Sequence, residues 1–167
     1  MDYIVFPGPL GLMGLAATPA GLCRVALRVA RESSFRDCLE KTHRRTPRNN
    51  PNALKKIKRQ FDLYFSGKLR KFSCPLDFGG ATAFQKKIWT RLTAIPFGET
   101  RSYQWLAQAA GRPSACRAAG NANGKNPLPI VVPCHRVVRK NGELGGYSGG
   151  TDIKRFLLDL ERSHAAL

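Results

Sequence analysis

The segment KFSCPLDFGGATAF, residues 71–84, limits what this chain can fold into because it interrupts the regular patterns on both of its sides. It has little helical periodicity, and its proline and two adjacent glycines favour loops over helices and central strands. We therefore expect a linker over about 72–82. The 167 residues are enough for two small domains, which we predict over 1–75 and 76–167.

The N-terminal domain is predicted to be a small α/β unit with a short antiparallel sheet. Residues 21–31, GLCRVALRVAR, alternate loosely between apolar and basic side chains, which is typical of a strand with one wet face. Residues 41–52 combine charge with prolines and asparagines and indicate an exposed loop. A helix is expected from Asn52 until Gly67, because its apolar residues recur at spacings of three and four. These apolar residues are Leu54, Ile57, Phe61, Tyr64 and Phe65.

The C-terminal domain is predicted to be mainly helical. A first helix is expected after Thr82, whose hydroxyl can cap it, and should end before Pro96. Residues 102–110 indicate a second helix, residues 111–113 a tight turn, and Ser114 the start of a third helix rich in small side chains. Two helices joined by a short glycine turn outline a helix-turn-helix.

A wing is predicted after the helix-turn-helix. Residues 130–132 lie between two prolines and indicate a short buried segment that delivers Cys134 to a cleft. Asn141 and Gly142 are typical of a hairpin turn, and the pattern is that of a winged helix. The final helix is expected to turn Ile153, Phe156, Leu157 and Leu160 inward. The predicted fold class is therefore α/β plus mainly α, with a winged-helix-like C-terminal domain.

The charge of the chain indicates a polyanionic partner. Twenty-eight basic residues face eleven acidic ones, a formal net charge of +17. The excess is uneven, since residues 31–71 alone carry thirteen basic and four acidic side chains. Nucleic acid is the commonest partner of such a surface, and a solvated basic face is the alternative.

The cysteines indicate an intracellular protein. There are five and no CxxC pair, so reduced thiols are expected, in the cytoplasm or nucleoid, or in the nucleus of a eukaryote. Cys23, Cys38 and His43 do not form a zinc-ligand pattern, and we predict no metal. Asp2 and the early prolines argue against a signal peptide, and no run of 18 apolar residues indicates a membrane span.

The run VVPCHRVVRK places Cys134 directly before His135. A thiolate is the protein nucleophile best suited to displacement at an sp3 carbon, but a free thiol with a pKa of about 8.5 is mostly protonated at neutral pH. Neighbouring side chains of an extended chain point to opposite faces, so we expect a water to join this thiol to the imidazole. The glycines of GGYSGG would let a loop approach a flat ligand closely.

These motifs resemble those of the O6-alkylguanine-DNA alkyltransferases, also called methylated-DNA protein-cysteine methyltransferases. PCHRVV is similar to the active-site signature of that family, with RAAGNANGKNP before it and GGYSGG after it. QFDLYFSGK, CPLDFGG, FQKKIW, IPFGETRSYQWLA and KRFLLDLE resemble further family blocks in the family's order. The resemblance runs from about residue 60 to 161 and is loose before that.

The resemblance implies DNA repair by direct reversal, in which Cys134 irreversibly accepts an alkyl group from O6 of guanine, and possible activity on O4 of thymine. Each chain would react once and would need no cofactor. The resemblance further implies that His135 takes the thiol proton through a water and that Glu161 orients and charges the imidazole. It implies that Asn126 holds the turn before the active-site segment.

The resemblance also implies how a flipped base is bound. Tyr103 would donate to N3 of the leaving guanine, Tyr147 and Ser148 would pack on the base and donate toward O6, and the carbonyls of Cys134 and Val137 would accept its amine. The implied partner is double-stranded DNA with an alkylated guanine, bound by a monomer, with Arg117 filling the gap left by the base. The other predicted DNA contacts are Ser114, Ala118 and Arg136.

The residues alone leave other functions open. A non-catalytic winged-helix DNA-binding protein would explain the charge and the two-helix unit equally well, with PCHR as a structural element. A thiol hydrolase would have His43 and His164 as alternative bases. Without the resemblance, Glu161 could be a surface carboxylate, Tyr103 a core residue and Arg117 a phosphate contact.

Overall fold

The computed structural model describes residues 1–165 of the chain. They divide into two compact units, the first ending at Gly79 and the second beginning at Gly80. Part of the predicted linker belongs to the first unit, because the Leu22 N–H donates to the carbonyl of Pro75 at 2.8 Å. That segment therefore extends the edge of a sheet.

The first unit is built on a four-stranded sheet in the order β3-β2-β1-β4. Its strands are β1 (Asp2–Gly8), β2 (Gly11–Thr18), β3 (Gly21–Ala26) and β4 (Arg48–Asn49). The first three are antiparallel, as predicted, whereas β4 pairs parallel to β1. The strand predicted over 21–31 ends early, and Arg28 beyond it has a positive φ of 56°, which is incompatible with an extended chain.

One helix covers each face of this sheet. On one face, α1 (Glu32–His43) packs Phe35 against Tyr3 with ring centroids 6.1 Å apart. On the other, α2 (Pro51–Phe65) lies over Phe6, whose side chain points away from that of Tyr3 because strand residues alternate. The unit therefore buries both sides of a small sheet.

The two helices differ in how well the sequence predicts them. α1 has only two buried side chains, Phe35 and Leu39, among charged neighbours, and the sequence analysis did not predict it. The expected helix α2 is present and ends before Gly67, which has a φ of 71°. It begins at Pro51 rather than Asn52, because the side chain of Asn50 caps it by accepting from the Ala53 N–H.

The second unit is mainly helical, as predicted. Its helices are α3 (Ala83–Leu92), α4 (Tyr103–Ala109), α5 (Cys116–Gly124) and α6 (Thr151–Ala165). Thr82 caps α3, as predicted, and the structure adds a reciprocal bond from Gln85 that completes a capping box. α4 and α5 form the predicted helix-turn-helix around Gly111, whose φ is 73°. α5 begins later than predicted, so Ser114 lies in the turn before it.

The wing differs from the prediction. The short strands β5 (Arg101–Ser102) and β6 (Val137–Val138) pair in parallel, and the residues around Asn141 form a tight turn without a strand pair.

Phe156 of α6 was expected to face inward, but it is 38% exposed. The helix instead buries two charged side chains, Lys154 and Glu161.

Within residues 1–165, no helix has both the length and the apolar content that a bilayer span requires.

Candidate active site

Cys134 follows a tight loop that Asn126 holds closed. The Nδ2 of Asn126 donates to the Val132 carbonyl at 2.7 Å, and its Oδ1 accepts from the Leu128 N–H at 3.0 Å. Within this loop Ile130 has a positive φ of 75°, which a β-branched residue rarely adopts. Such a conformation persists only where the surroundings over-determine it, and the two bonds of Asn126 supply part of that constraint.

Cys134 opens a single 3₁₀ turn, Cys134–Arg136, and does not lie on an extended segment as predicted. Successive side chains of a 3₁₀ turn diverge by about 120°, so the thiol and the imidazole of His135 still point apart. The thiol lines a cavity of about 340 Å³ in the second unit. This volume is at the low end of ligand pockets, roughly 300–1,000 Å³, and suits a single flat ring system. The cavity is lined by Tyr103, Gly120, Asn123, Gly124, Cys134, Gly146, Tyr147 and Ser148.

The Cys134 thiol is protonated in its resting state. Burial raises its pKa above the ordinary value, while the side chains of Asn126 and Tyr147 and the charge of Lys154 act in the opposite direction. A buried neutral thiol is a poor nucleophile. The site therefore needs a base.

His135 has the geometry of that base. Its Nε2 lies 2.8 Å from Oε1 of Glu161, and both side chains are completely buried. Burial lowers the pKa of His135, although Glu161 acts against this shift, so the imidazole is neutral at neutral pH. Because an ionised carboxylate can only accept, we assign the ring proton to Nε2, which leaves Nδ1 as an acceptor. Nδ1 is buried and has no hydrogen-bond partner within residues 1–165.

Glu161 is held ionised by its neighbours. Burial alone would raise the pKa of this carboxyl, but hydrogen bonds from His135 and Arg136 and the positive charge of Arg136 hold it well below its usual range. Arg136 donates from Nε to Oε2 at 2.8 Å and from Nη2 to Oε1 at 2.9 Å, and the Gly98 N–H donates to Oε2 at 3.1 Å. With His135, the carboxylate thus has at least two partners on each oxygen. A surface role for Glu161 is excluded.

The prediction that Arg136 contacts DNA is wrong. Its side chain is only 7% exposed, and its remaining Nη1 donates to the Ile95 carbonyl at 2.6 Å. The guanidinium is used internally, as the permanent positive charge that keeps Glu161 ionised.

Two tyrosine hydroxyls face the cavity as donors. Burial raises the pKa of Tyr103, and burial together with the nearby Cys134 raises that of Tyr147 well above its usual value. The Tyr147 hydroxyl is buried beside the Cys134 thiol and makes no hydrogen bond of good geometry in the part of the chain that the structure describes. Both hydroxyls can therefore donate to a ligand. Ser148 lies beside them and is exposed.

Lys154 is a site residue that was not among those predicted from the sequence. It is completely buried, and its Nζ donates to the carbonyls of Val137 at 2.7 Å, Gly146 at 3.4 Å and, at shorter range, Leu144. Burial lowers its pKa to about 8, while the proximity of Cys134 acts against this shift. The ammonium therefore ties the cavity loop to α6 and lies near the thiol.

A signal for Lys154 was present in the sequence. It lies seven residues before Glu161 and in register with Leu157 and Leu158, so it falls on the apolar stripe of an amphipathic helix. A lone cation at such a position indicates a buried, bonded ammonium. The Val137 carbonyl, the predicted acceptor for the amine of the base, accepts from Lys154 and keeps a second lone pair, although Val137 is not among the cavity-lining residues.

Helix α5 joins the cavity to the protein surface. Gly120, Asn123 and Gly124 line the cavity, whereas Arg117 and Ala118 are exposed on the same helix. Ser114 is also exposed, in the turn that precedes α5. The second helix of the helix-turn-helix thus presents one cation and small side chains to solvent beside the opening.

Within the described residues, no three His, Cys, Asp or Glu side chains lie together in a way that could hold a metal ion.

Fold and site together define a class of DNA-binding protein in which a helix-turn-helix lies over a buried nucleophilic cysteine. Residues 1–78 match the model of the 6-O-methylguanine DNA methyltransferase ribonuclease-like domain, and residues 83–163 match that of the DNA binding domain of the same family. The chain belongs to the 6-O-methylguanine DNA methyltransferase family, which confirms the resemblance seen in the sequence.

Relatives match over nearly the full length. The chain is 42% identical over 165 residues to the methylated-DNA–protein-cysteine methyltransferase of Mycolicibacterium paratuberculosis, covering 99% of this chain and 94% of the relative. It is 43% identical over 162 residues to the constitutive methylated-DNA–protein-cysteine methyltransferase of Bacillus subtilis, covering 96% and 94%.

Solved structures agree with these matches. The Mycobacterium tuberculosis OGT, crystallised in complex with DNA, has a TM-score of 0.85 at 40% identity and covers 98% of this chain and 94% of its own. The O6-methylguanine-DNA methyltransferase of Pyrococcus kodakaraensis has a TM-score of 0.68 at 31% identity and covers 96% and 98%. The predicted combination of an α/β unit with a mainly helical DNA-binding unit is confirmed.

Proposed function

We propose that this protein repairs DNA by irreversible transfer of an alkyl group from O6 of guanine to Cys134. The observation that carries the proposal is the pairing of a buried thiol with a buried His135–Glu161 couple, beside a base-sized cavity that helix α5 lines. A non-catalytic DNA-binding protein would have no use for a base whose acceptor nitrogen is buried and unpartnered within residues 1–165.

The first step is removal of the thiol proton. A water between Sγ of Cys134 and Nδ1 of His135 would carry the proton to the imidazole, since the two side chains diverge from the 3₁₀ turn. The imidazolium is then stabilised by ionised Glu161, whose charge is fixed by Arg136. In this arrangement Glu161 and Arg136 are positioning residues.

The second step is displacement at the alkyl carbon. A bond forms between Sγ and that carbon while the bond from the carbon to O6 breaks, and its electron pair stays on the departing guanine. The guanine anion then takes up one proton, which balances the proton that His135 removed from the thiol. The hydroxyls of Tyr103 and Tyr147, both kept protonated, would donate to the negative charge that develops on the base. Ser148, in the same lining, is the other donor toward O6. The product is a stable thioether, so each chain reacts once.

The alkylated base must leave the duplex, because its O6 edge cannot reach a buried thiol inside the stack. We assign Arg117 to the vacated space, since it is exposed on α5 while the same helix lines the cavity. Ala118 and Ser114 would lie against the groove, and their small side chains allow close approach. The second unit, from Gly80, would thus form the DNA-binding and alkyl-transfer domain, and the first unit the N-terminal domain, so the boundary lies a few residues later than the predicted 75/76.

We further propose that the protein acts as a monomer inside the cell, in the cytoplasm or nucleoid, or in the nucleus of a eukaryote. The cavity, the base and the DNA-facing helix all lie on one chain. All five cysteines are free thiols, which suits a reducing compartment.

The test is the intact mass of the protein after mixing with a duplex that contains one O6-benzylguanine. The expected result is a single benzyl adduct per chain, and peptide mapping should place it on Cys134. A protein that binds the duplex but gains no mass, or that turns over repeatedly, contradicts the proposal.

Arg117→Ala should separate base flipping from chemistry. The variant loses the group that fills the vacated stack, so single-turnover repair of duplex O6-methylguanine should slow by roughly one to two orders of magnitude. Reaction with free O6-benzylguanine should be nearly unchanged, because a free base needs no flipping. Arg112→Ala is the control, since that exposed guanidinium lies over the Phe84 ring at 5.2 Å. Equal slowing on both substrates would instead mean that Arg117 contributes to the catalytic pocket or to the stability of the fold.

Lys154→Met should move the pH dependence of the chemistry. The nearby ammonium lowers the pKa of Cys134, so its loss raises the thiol pKa and shifts the pH–rate profile with free O6-benzylguanine to alkaline values. A shift of one pKa unit would slow the reaction roughly tenfold at neutral pH. The exposed neighbour Arg155→Met is the control and should keep the wild-type profile. If Lys154→Met had a lower rate but an unshifted pH–rate profile, the role of Lys154 would be purely structural.

A further inference from the structure

We propose that the outer face of α2, in the first unit, is a second surface for the phosphate backbone of DNA. The face consists of Lys55, Lys56 and Arg59, which we call the α2 basic face. The inference rests on the proposed function insofar as DNA is the polyanion concerned, and it adds a contact in a part of the chain that the alkyl-transfer chemistry does not use.

The α2 basic face is opposite the packed side of the helix. Leu54, Phe61 and Tyr64 are buried against the sheet of the first unit. At roughly 100° per residue, Lys55, Lys56 and Arg59 project about half a turn away from that side. All three are exposed, so their charges are available to a partner.

Nothing in the first unit neutralises these charges. Within the residues that the structure describes, none of the three cations forms an ion pair. The acidic residue of α2, Asp62, is bound by Lys58 at 2.8 Å and so is already compensated. Residues 1–79 as a whole carry fifteen basic and six acidic side chains, so the surroundings are basic as well.

The arrangement is also unfavourable for the helix itself. Like charges three and four residues apart repel, as Lys56 and Lys55 do with Arg59. The helix dipole favours acidic residues in the first turn and basic ones in the last, but α2 has neither, and Asp62 lies near its C-terminal end. A face kept only for solubility would mix both signs. A polyanion offsets this repulsion, because each phosphate contact releases condensed counterions.

Helix α1 shows the contrast within the same unit. It intersperses Glu32, Asp37 and Glu40 with its cations, and Arg36 pairs with Asp37 at 3.2 Å. Such a mixed surface has no strong preference for an anion. Together with Arg31, which directly precedes it, α1 therefore provides a matched set of three cations whose removal changes the net charge equally without touching the α2 basic face.

The test compares two triple variants of the full chain on an undamaged duplex over a range of salt concentrations. In Lys55→Gln/Lys56→Gln/Arg59→Gln, the plot of log affinity against log salt should become shallower. Its negative slope should shrink in magnitude by about 2 to 2.7, at roughly 0.9 per phosphate contact. Its affinity should fall at least about tenfold near 0.1 M salt. Arg31→Gln/Arg36→Gln/Lys41→Gln removes the same charge and should keep the wild-type slope. Lys55→Arg/Lys56→Arg/Arg59→Lys keeps the charge and should bind as the wild type does.

Equal losses in the two Gln variants would mean a general effect of net charge and would overturn the proposal, as would a wild-type slope in the α2 variant. Binding to phosphatidylserine vesicles is measured as well. If the α2 Gln variant lost vesicle binding but kept wild-type DNA binding, the α2 basic face would bind a lipid surface instead. The duplex with one O6-benzylguanine reports the alkyl-transfer chemistry separately. If the wild type binds this duplex but gains no adduct, the proposed function fails, while the salt slopes on undamaged DNA still decide the role of α2.

Discussion

Cys134→Ser is expected to abolish alkyl transfer to both duplex and free-base substrates. A hydroxyl has a far higher pKa than a thiol, so neither the water-linked His135 nor the charge of Lys154 can generate an equivalent nucleophile. Removal of a nucleophile costs many orders of magnitude in rate, and we expect roughly 10⁴-fold or more. The measurement is single-turnover adduct formation followed by intact mass.

DNA binding separates loss of the nucleophile from loss of the fold. Cys134 is buried and is not one of the proposed DNA contacts, so the affinity of the Ser variant for duplex should stay within about tenfold of the wild type, or 1.4 kcal/mol. Cys38→Ser and Cys74→Ser should transfer normally, because neither thiol lines the cavity. A larger loss of affinity in Cys134→Ser would indicate that the thiol is structural.

The sequence predicts most of what local chemistry decides. Thr82 and Gln85 form a capping box because both halves of the motif lie three residues apart, and Gly111 stops α4 because a left-handed backbone suits glycine. The roles of His135 and Glu161 depend on a resemblance in the sequence. Their 2.8 Å contact spans 26 positions and could not be derived from spacing alone.

What the sequence did not predict depends on tertiary context. Arg136 looks like a surface cation because most arginines are exposed, yet it is buried with carboxylate and carbonyl partners. Lys154 lies on the apolar stripe of α6, but the carbonyls that it binds are set by the tertiary fold of the cavity loop. The 3₁₀ turn at Cys134 and the positive φ of Ile130 are imposed by Asn126 and its loop, against the local preference of a valine-rich segment for strand. Helix α1 has too few apolar residues to show a period.

Glu161→Gln is expected to damage stability and chemistry together. The amide cannot balance the guanidinium of Arg136, and removal of one partner of a buried ion pair costs about 3–5 kcal/mol in the free energy of unfolding. The imidazole of His135 also loses the anion that stabilises its protonated form, so transfer to free base and duplex alike should slow by roughly 10²- to 10⁴-fold.

The stability effect of Glu161→Gln should depend on pH in a defined direction. Because the folded-state pKa of this carboxyl lies below its ordinary value of 4.5, its contribution is fully present above about pH 4.5 and is lost as the pH falls through the folded-state pKa. Urea unfolding should therefore show the wild type and Glu161→Gln converging on acidification below about pH 4.5. The exposed Asp159→Asn, on the same helix, is the control and should follow the wild type.

A double variant separates the two roles of the carboxylate. In Glu161→Gln/Arg136→Met no buried charge is left uncompensated, so much of the stability should return, as when a buried ion pair is replaced by apolar packing. The transfer rate should stay low, because the imidazolium of His135 still lacks its anion. If the transfer rate returned with the stability, Glu161 would act only by stabilising the fold. The assignment of His135 as a base whose imidazolium form is stabilised by Glu161 would then have to be withdrawn.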